Sequence, residues 1–159
     1  MFSNWKKTVG IAAFAFAISS GKVLAACTEG PGWTPEEFAE MRRHPMHGAA
    51  ILSNIQSPKV VDVLPGVKYH HERWDGSGYP EGRKGKEIPL LGRILAVADY
   101  LDALTSDRAY RTATPLDEVV ALIQQQSGTA FDPAVVEALT TLHDKGELML
   151  PPSPSPALH

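Results

Sequence analysis

Two imidazoles stand side by side at His70 and His71, and a loop dense in turn formers follows them: Glu72-Arg73-Trp74-Asp75-Gly76-Ser77-Gly78-Tyr79-Pro80. Neutral histidine is the commonest side-chain metal ligand and binds through a ring nitrogen. Gly76 and Gly78 allow a positive φ or a close backbone approach, and Pro80 stiffens the exit of the loop. Two more ionisable residues sit beside special geometry. His44 directly precedes Pro45, and Asp99 lies in the middle of a strongly apolar helical segment, beside its core stripe. Nitrogen and oxygen ligands brought together from several helices are how helical bundles hold metals. Imidazole with carboxylate suits iron, manganese or zinc better than calcium. Each residue alone also has a plainer reading, as a hydrogen-bonded core histidine or a salt-bridge aspartate. The adjacent His70-His71 pair ahead of a glycine-rich loop favours the metal.

The elements that would position these groups are helical. Thr34-Pro35-Glu36-Glu37 is a helix start, with Thr34 as cap, Pro35 at the first position and Glu37 closing a capping box. Phe38 and Met41 give that helix an apolar face, which His44-Pro45 interrupts. A second helix is expected through His47, Ala50, Ile51 and Ile55. Residues 58–69 read as a third helix despite their valines, because the apolar positions step by three and four rather than alternate. Residues 75–90 form a polar loop. The clearest helix covers about residues 93–105, with Ile94, Val97, Ala98, Leu101 and Leu104 as its core stripe and Asp99 and Asp102 sharing a neighbouring face. Pro115 and Asp132-Pro133 open two further helices. Leu116, Val119, Val120, Leu122 and Ile123 face inward on the first, with Gly128 past its end; Val135, Val136, Leu139 and Leu142 face inward on the second. The fold expected is an all-α bundle.

The 159 residues suit one domain with a real core, and 43% hydrophobic with 21% charged content is that of a globular protein. A net charge of −3 gives no electrostatic case for binding a nucleic-acid polymer. A local pair of arginines would still suffice for a small phosphate ligand. The single cysteine, Cys27, permits no intrachain disulfide. Residues 1–27 stand apart: Lys6 and Lys7, an apolar run over residues 9–18, then Leu24-Ala25-Ala26-Cys27. They read either as a secretory or lipoprotein-type signal peptide or as a buried helix of the domain. Residues 28–147 carry the domain. Residues 148–159, with four prolines, form a tail that cannot pack.

The motifs in their order closely resemble the HD-GYP family of cyclic di-GMP phosphodiesterases. They are Thr34-Pro35-Glu36-Glu37-Phe38, the segment from Met41 to Gly48 with His44-Pro45, residues 70–80, and Ile88-Pro89-Leu90. Arg93-Ile94-Leu95-Ala96-Val97-Ala98-Asp99 follows, then residues 102–111, then Gly128 and Phe131-Asp132-Pro133, so the resemblance covers about residues 33–140. It implies an HD-type helical bundle in which His44, His70, His71 and Asp99 match metal ligands. Arg108 and Arg111 match positions that meet the dinucleotide phosphates, as guanidinium chemistry suits. Gly76, Tyr79 and Pro80 lie in the loop that names half the family and help bind substrate. Lys22 and Asp102 fall at catalytic positions. The family carries two or three metal ions, usually iron or manganese, which activate the attack on the phosphodiester phosphorus. His47 and His143 match no ligand.

The resemblance also implies a gap. The family's adjacent His-Asp pair precedes a Gly-Lys that Gly21-Lys22 matches, and the pair's positions hold Ile18 and Ser19. Neither side chain is a good ligand. The bundle is therefore expected to be incomplete at its N-terminus, and hydrolysis of cyclic di-GMP to be impaired, with a single ion held or none. The competing expectations are a non-catalytic module that binds cyclic di-GMP or a diguanylate cyclase (GGDEF) domain, and an inert fragment. Uncovered helix faces in such a fragment would favour a homodimer. A cytoplasmic messenger as substrate implies a cytoplasmic enzyme, against export if residues 1–27 are a working signal.

Overall fold

The computed structural model describes residues 34–106 and 112–149. Six α-helices follow in order: α1 (Pro35–Met41), α2 (His44–Ser53), α3 (Pro58–Tyr69), α4 (Leu90–Thr105), α5 (Leu116–Gln125) and α6 (Pro133–Asp144). A single 3₁₀ turn, Gly85–Glu87, lies in the loop between α3 and α4. The described residues form no strand, only one bridge between Ser127 and Phe131. The all-α expectation holds.

Helix starts follow the sequence chemistry. Thr34 Oγ1 accepts from the Glu37 backbone N–H at 3.2 Å, while Glu37 Oε2 accepts from the Thr34 N–H at 2.9 Å. This is the reciprocal box that satisfies two otherwise orphaned donors. Asp132 caps α6 through the Ala134 N–H at 2.9 Å. Pro58 sits in the first turn of α3, where its missing N–H costs nothing.

The helices pack in sequence, α2 on α3 and α3 on α4, with α5 and α6 on the far part of α4. The core is one cluster: Val97, Leu101 and Leu104 of α4, Val119 and Ile123 of α5, Ala130 and Phe131 ahead of α6, and Val136 within it. Small residues set the closest crossing. A Cβ on Gly66 would fall 2.6 Å from Leu91 Cγ, so α3 and α4 approach to a distance only glycine permits.

Three sequence expectations change. The α4 stripe divides, since Val97, Leu101 and Leu104 are buried whereas Ile94 is 41% exposed and Ala98 is exposed. Nothing among the described residues covers that side of the helix. Leu142 is likewise exposed near the end of α6. Boundaries move too: α2 stops at Ser53, short of Ile55, and α4 begins at Leu90, ahead of Arg93. The reason at α4 is Pro89, whose fixed φ of −53° and extended ψ make it the residue before the helix.

Candidate metal centre

The first turn of α2 and the C-terminal end of α3 bring three imidazoles to one point. His44 opens α2, His70 caps α3, and His71 follows it. Their ligand nitrogens all lie within 4.8 Å of one another. His44 Nε2 is 3.1 Å from His71 Nε2 and 3.4 Å from His70 Nε2.

The backbone fixes two of the tautomers. His44 Nδ1 stands 2.8 Å from the Met41 carbonyl, and His70 Nδ1 stands 2.7 Å from the Val67 carbonyl. A carbonyl only accepts, so each Nδ1 carries the proton and each Nε2 presents a lone pair. The helix carbonyl three residues back does the work an outer-shell partner does in metalloproteins.

This donor set fits a cation. His44 and His70 turn two lone pairs toward each other, with no proton left to share between those nitrogens. Ring nitrogens on one ion at roughly 2.0–2.1 Å naturally stand about 3 Å apart. Two of the rings, His71 and His70, also resist becoming imidazolium. Burial pushes His71 down to about 3, reinforced by the neighbouring His70 and His44. Burial lowers His70 as well, with the Val67 hydrogen bond and the Asp99 charge acting against it. Neutral, lone-pair-bearing imidazole is the metal-binding form.

Asp99 lies in the exposed middle of α4. It stays outside the tight three-histidine group, although its charge reaches His70. Asp102, one turn on, accepts from Ser106 Oγ at 3.3 Å at the end of α4. Lys22, Arg108 and Arg111, together with Ile18 and Ser19, fall outside the described residues. His47 is exposed, and His143 pairs with Asp117 at 2.8 Å, so neither joins the cluster.

The loop after the histidines is held from within. Glu72 is 3% exposed, and its two carboxylate oxygens accept from the Glu81 N–H at 2.8 Å and the Arg83 N–H at 3.0 Å. That folds residues 73–83 back onto the end of α3. The Tyr79 N–H returns to the His71 carbonyl at 3.1 Å, and the Tyr79 ring stacks on the His71 ring with centroids 4.8 Å apart. Gly78 makes this possible. A Cβ there would sit 2.3 Å from Arg73 N and 2.5 Å from the His71 oxygen. Gly76 has a φ of 86° and Tyr79-Pro80 is a cis peptide. The loop's far side is pinned to the core, where the Trp74 and Asp75 N–H groups donate to the Ala130 and Thr129 carbonyls at 3.0 and 2.9 Å.

Sequence reasoning singled out the three histidines and the Gly76, Tyr79 and Pro80 loop, and the structure brings them together. It passed over Glu72, the loop's buried anchor, whose signal was a carboxylate locked between His71 and a turn-rich segment. It also passed over the Arg93–Asp132 ion pair at 2.5 Å. Helix-stripe patterning gave no reason to pair those two, since Asp132 already reads as a cap.

Comparison with known proteins places this arrangement. The model of the HD domain family matches residues 1–135. A cyclic di-GMP phosphodiesterase of Thermotoga maritima is 48% identical over 109 residues, which is 69% of this chain and 30% of that protein. The cyclic di-GMP phosphodiesterase response regulator RpfG of Xanthomonas campestris is 47% identical over 107 residues, 67% of this chain and 28% of that protein. A 3'3'-cGAMP-specific phosphodiesterase of Vibrio cholerae is 37% identical over 128 residues, 77% of this chain and 27% of that protein. Among solved structures, a cyclic GMP-AMP specific phosphodiesterase from V. cholerae superposes with a TM-score of 0.52 at 28% identity, covering 70% of this chain and 25% of that one. The chain thus spans 24–30% of the length of the first curated relatives. Family match, fold and the His70–Pro80 signature agree, and the chain belongs to the HD domain family, in its HD-GYP branch.

Proposed function

We propose that this chain is a metal-dependent phosphodiesterase domain whose substrate is cyclic di-GMP. The observation that carries the reading is the set of three imidazoles with Nε2 lone pairs converging on one point. The relatives named for the same activity support it. His44, His70 and His71 are the residues that would hold the ion, with Asp99 adding negative charge from α4. A bound divalent ion, iron or manganese on this reading, would supply Lewis-acid activation of water and neutralise charge on the phosphoryl oxygens. The chain's own residues bind and orient the substrate. Gly76, Tyr79 and Pro80 shape the wall beside His71, Arg108 and Arg111 offer bidentate donors to phosphate, and Lys22 and Asp102 are the further catalytic positions.

Residues 1–27 are read here as the domain's first, degenerate helix, and residues 148–159 as a tail. The family match beginning at residue 1 supports the first of these. No described helix is long and apolar enough to cross a membrane. A cytoplasmic location follows on this reading from the messenger it acts on.

Ile18 and Ser19, standing where the family carries its His-Asp pair, favour a second reading: a module that binds cyclic di-GMP, or a diguanylate cyclase domain through the loop, without turnover. One experiment separates them. The full chain is loaded anaerobically with Fe²⁺ or Mn²⁺, and cyclic di-GMP is followed by chromatography alongside a binding titration. Conversion to the linear dinucleotide or GMP supports the hydrolase. Tight binding without conversion supports the module, and neither result sinks both.

A further inference from the structure

The end of the α5–α6 pair far from the metal loop carries a cluster of charges that the metal centre does not use. His143 stands in the last turn of α6, and Asp117 in the first turn of α5. His143 Nε2 lies 2.8 Å from Asp117 Oδ1, and its Nδ1 lies 3.4 Å from Asp144 Oδ1. An ionised carboxylate only accepts, so each ring nitrogen needs a proton of its own to satisfy its partner. Neutral imidazole carries one such proton and imidazolium carries two. The geometry is therefore that of the charged ring.

The helix ends favour the same form. A cation suits the C-terminal end of α6, and an anion suits the N-terminal end of α5. The hydrogen bond to Asp117 holds His143 above its ordinary value of 6.5; partial burial of the ring opposes this, and Asp144 reinforces it. The charges of α4, which packs on both helices, are engaged elsewhere: Arg93 with Asp132, Asp99 with His70, and Asp102 with Ser106. Among the described residues, Glu118, Lys145 and Glu147 are the other charged groups at this end. Just past His143 the chain turns back through Gly146, whose φ is 68°. There the Lys145, Gly146 and Glu147 N–H groups donate to the Thr141, His143 and Leu142 carbonyls, and Leu148 packs against the core.

We propose that His143 is a proton-operated latch, which when charged fastens the end of α6 and the turn after it to the start of α5 through Asp117 and Asp144. Loss of the proton leaves the ring one donor for two carboxylates, and the turn that carries Leu148 loosens. The latch is independent of the phosphodiesterase reading, since it uses no residue of the metal centre.

The test compares the full chain as wild type, His143→Gln, His143→Lys and Asp117→Asn. NMR follows the titration of the His143 ring, whose signal is identified by its loss in His143→Gln. Amide exchange at Lys145, Gly146 and Glu147 is measured at about pH 5.5 and about pH 8, corrected for intrinsic rates. The wild-type ring should titrate above 6.5, and in Asp117→Asn it should fall back toward that value. A folded-state value above the unfolded one means that the contribution is complete below about 6.5 and is lost as pH rises through the raised value. At the lower pH, His143→Gln should therefore exchange these amides about two- to fivefold faster than wild type. That difference should shrink at the higher pH. His143→Lys stays charged throughout, so its protection should not change between the two. A wild-type ring that titrates at the ordinary value overturns the latch. So does a difference between wild type and His143→Gln that is the same at both pH values, because the ring would then act through packing alone.

Discussion

Gly78 carries more of the site than its size suggests. Its Cα hydrogen points into a space bounded by Arg73 N, the His71 oxygen and Glu72 Cα, and a Cβ there would come within 2.3, 2.5 and 2.6 Å of them. All three are backbone atoms, so no side-chain rotation relieves the contact. The clash falls on the carbonyl of a candidate ligand and on the residue whose carboxylate anchors the loop. Gly78→Ala should therefore cost about 1–3 kcal/mol in urea unfolding and also lower metal content, as the His71 ring shifts. A variant with wild-type stability and metal content would show that the loop yields easily. At this scale the sequence was legible where chemistry and type coincide. Adjacent histidines ahead of glycines announce ligands, and Thr34 and Asp132 announce caps. Glu72 was not legible, because burial of a carboxylate depends on two backbone N–H groups nine and eleven residues away. No local pattern encodes that meeting.

Helices and the long loop are held to one another by a few ionic contacts. Arg93 near the start of α4 pairs with Asp132 at the start of α6, and its Nε donates to the Ile88 carbonyl at 2.9 Å. Asp132 is only 4% exposed. Removing the guanidinium leaves that carboxylate buried without its counter-charge, which typically costs about 3–5 kcal/mol. Arg93→Met, which preserves the bulk, should lose that much in equilibrium unfolding; a loss below about 1 kcal/mol would mean Asp132 finds water instead. Glu81 ties the loop to α3 more weakly. Hydrogen bonds from Lys68 and Arg83 hold its carboxyl down to about 2, below the ordinary 4.5. A folded-state value below the unfolded one means the contribution is complete above about pH 4.5 and is lost as pH falls toward 2. The stability gap between wild type and Glu81→Gln should accordingly be widest at pH 6 and shrink by pH 3. A gap that stays constant over that range would detach Glu81 from the loop's stability. Helix order was readable from period and punctuation, since α3 forms despite its valines. Which face of α4 is buried was not readable: Ile94 and Val97 carry the same apolar signal, and only the partner helices distinguish them.

The whole molecule leaves one side of its ligand-bearing helices bare among the described residues. Ile51 stands two helical turns beyond His44 on α2, and Val63 two turns before His70 on α3, so both share the faces that carry the histidines. Ile51 is 69% exposed, Val63 41% and Ile94 41%. Large apolar side chains exposed on helices that carry candidate ligands point to faces that something covers. Residues 9–18 supply an apolar run of suitable character, and the HD domain match includes them. On the proposal that residues 1–27 belong to the domain, this run is the cover. A lysine placed under it then has nowhere to put its charge. Ile51→Lys and Ile94→Lys, made in the full chain, should each lower stability by about 1–3 kcal/mol without altering sedimentation, while Gln56→Lys on open surface changes neither. If both isoleucine variants melt like wild type, the face is bare and residues 1–27 do not serve the domain. If wild type sediments as a dimer and the variants as monomers, the cover is a second copy.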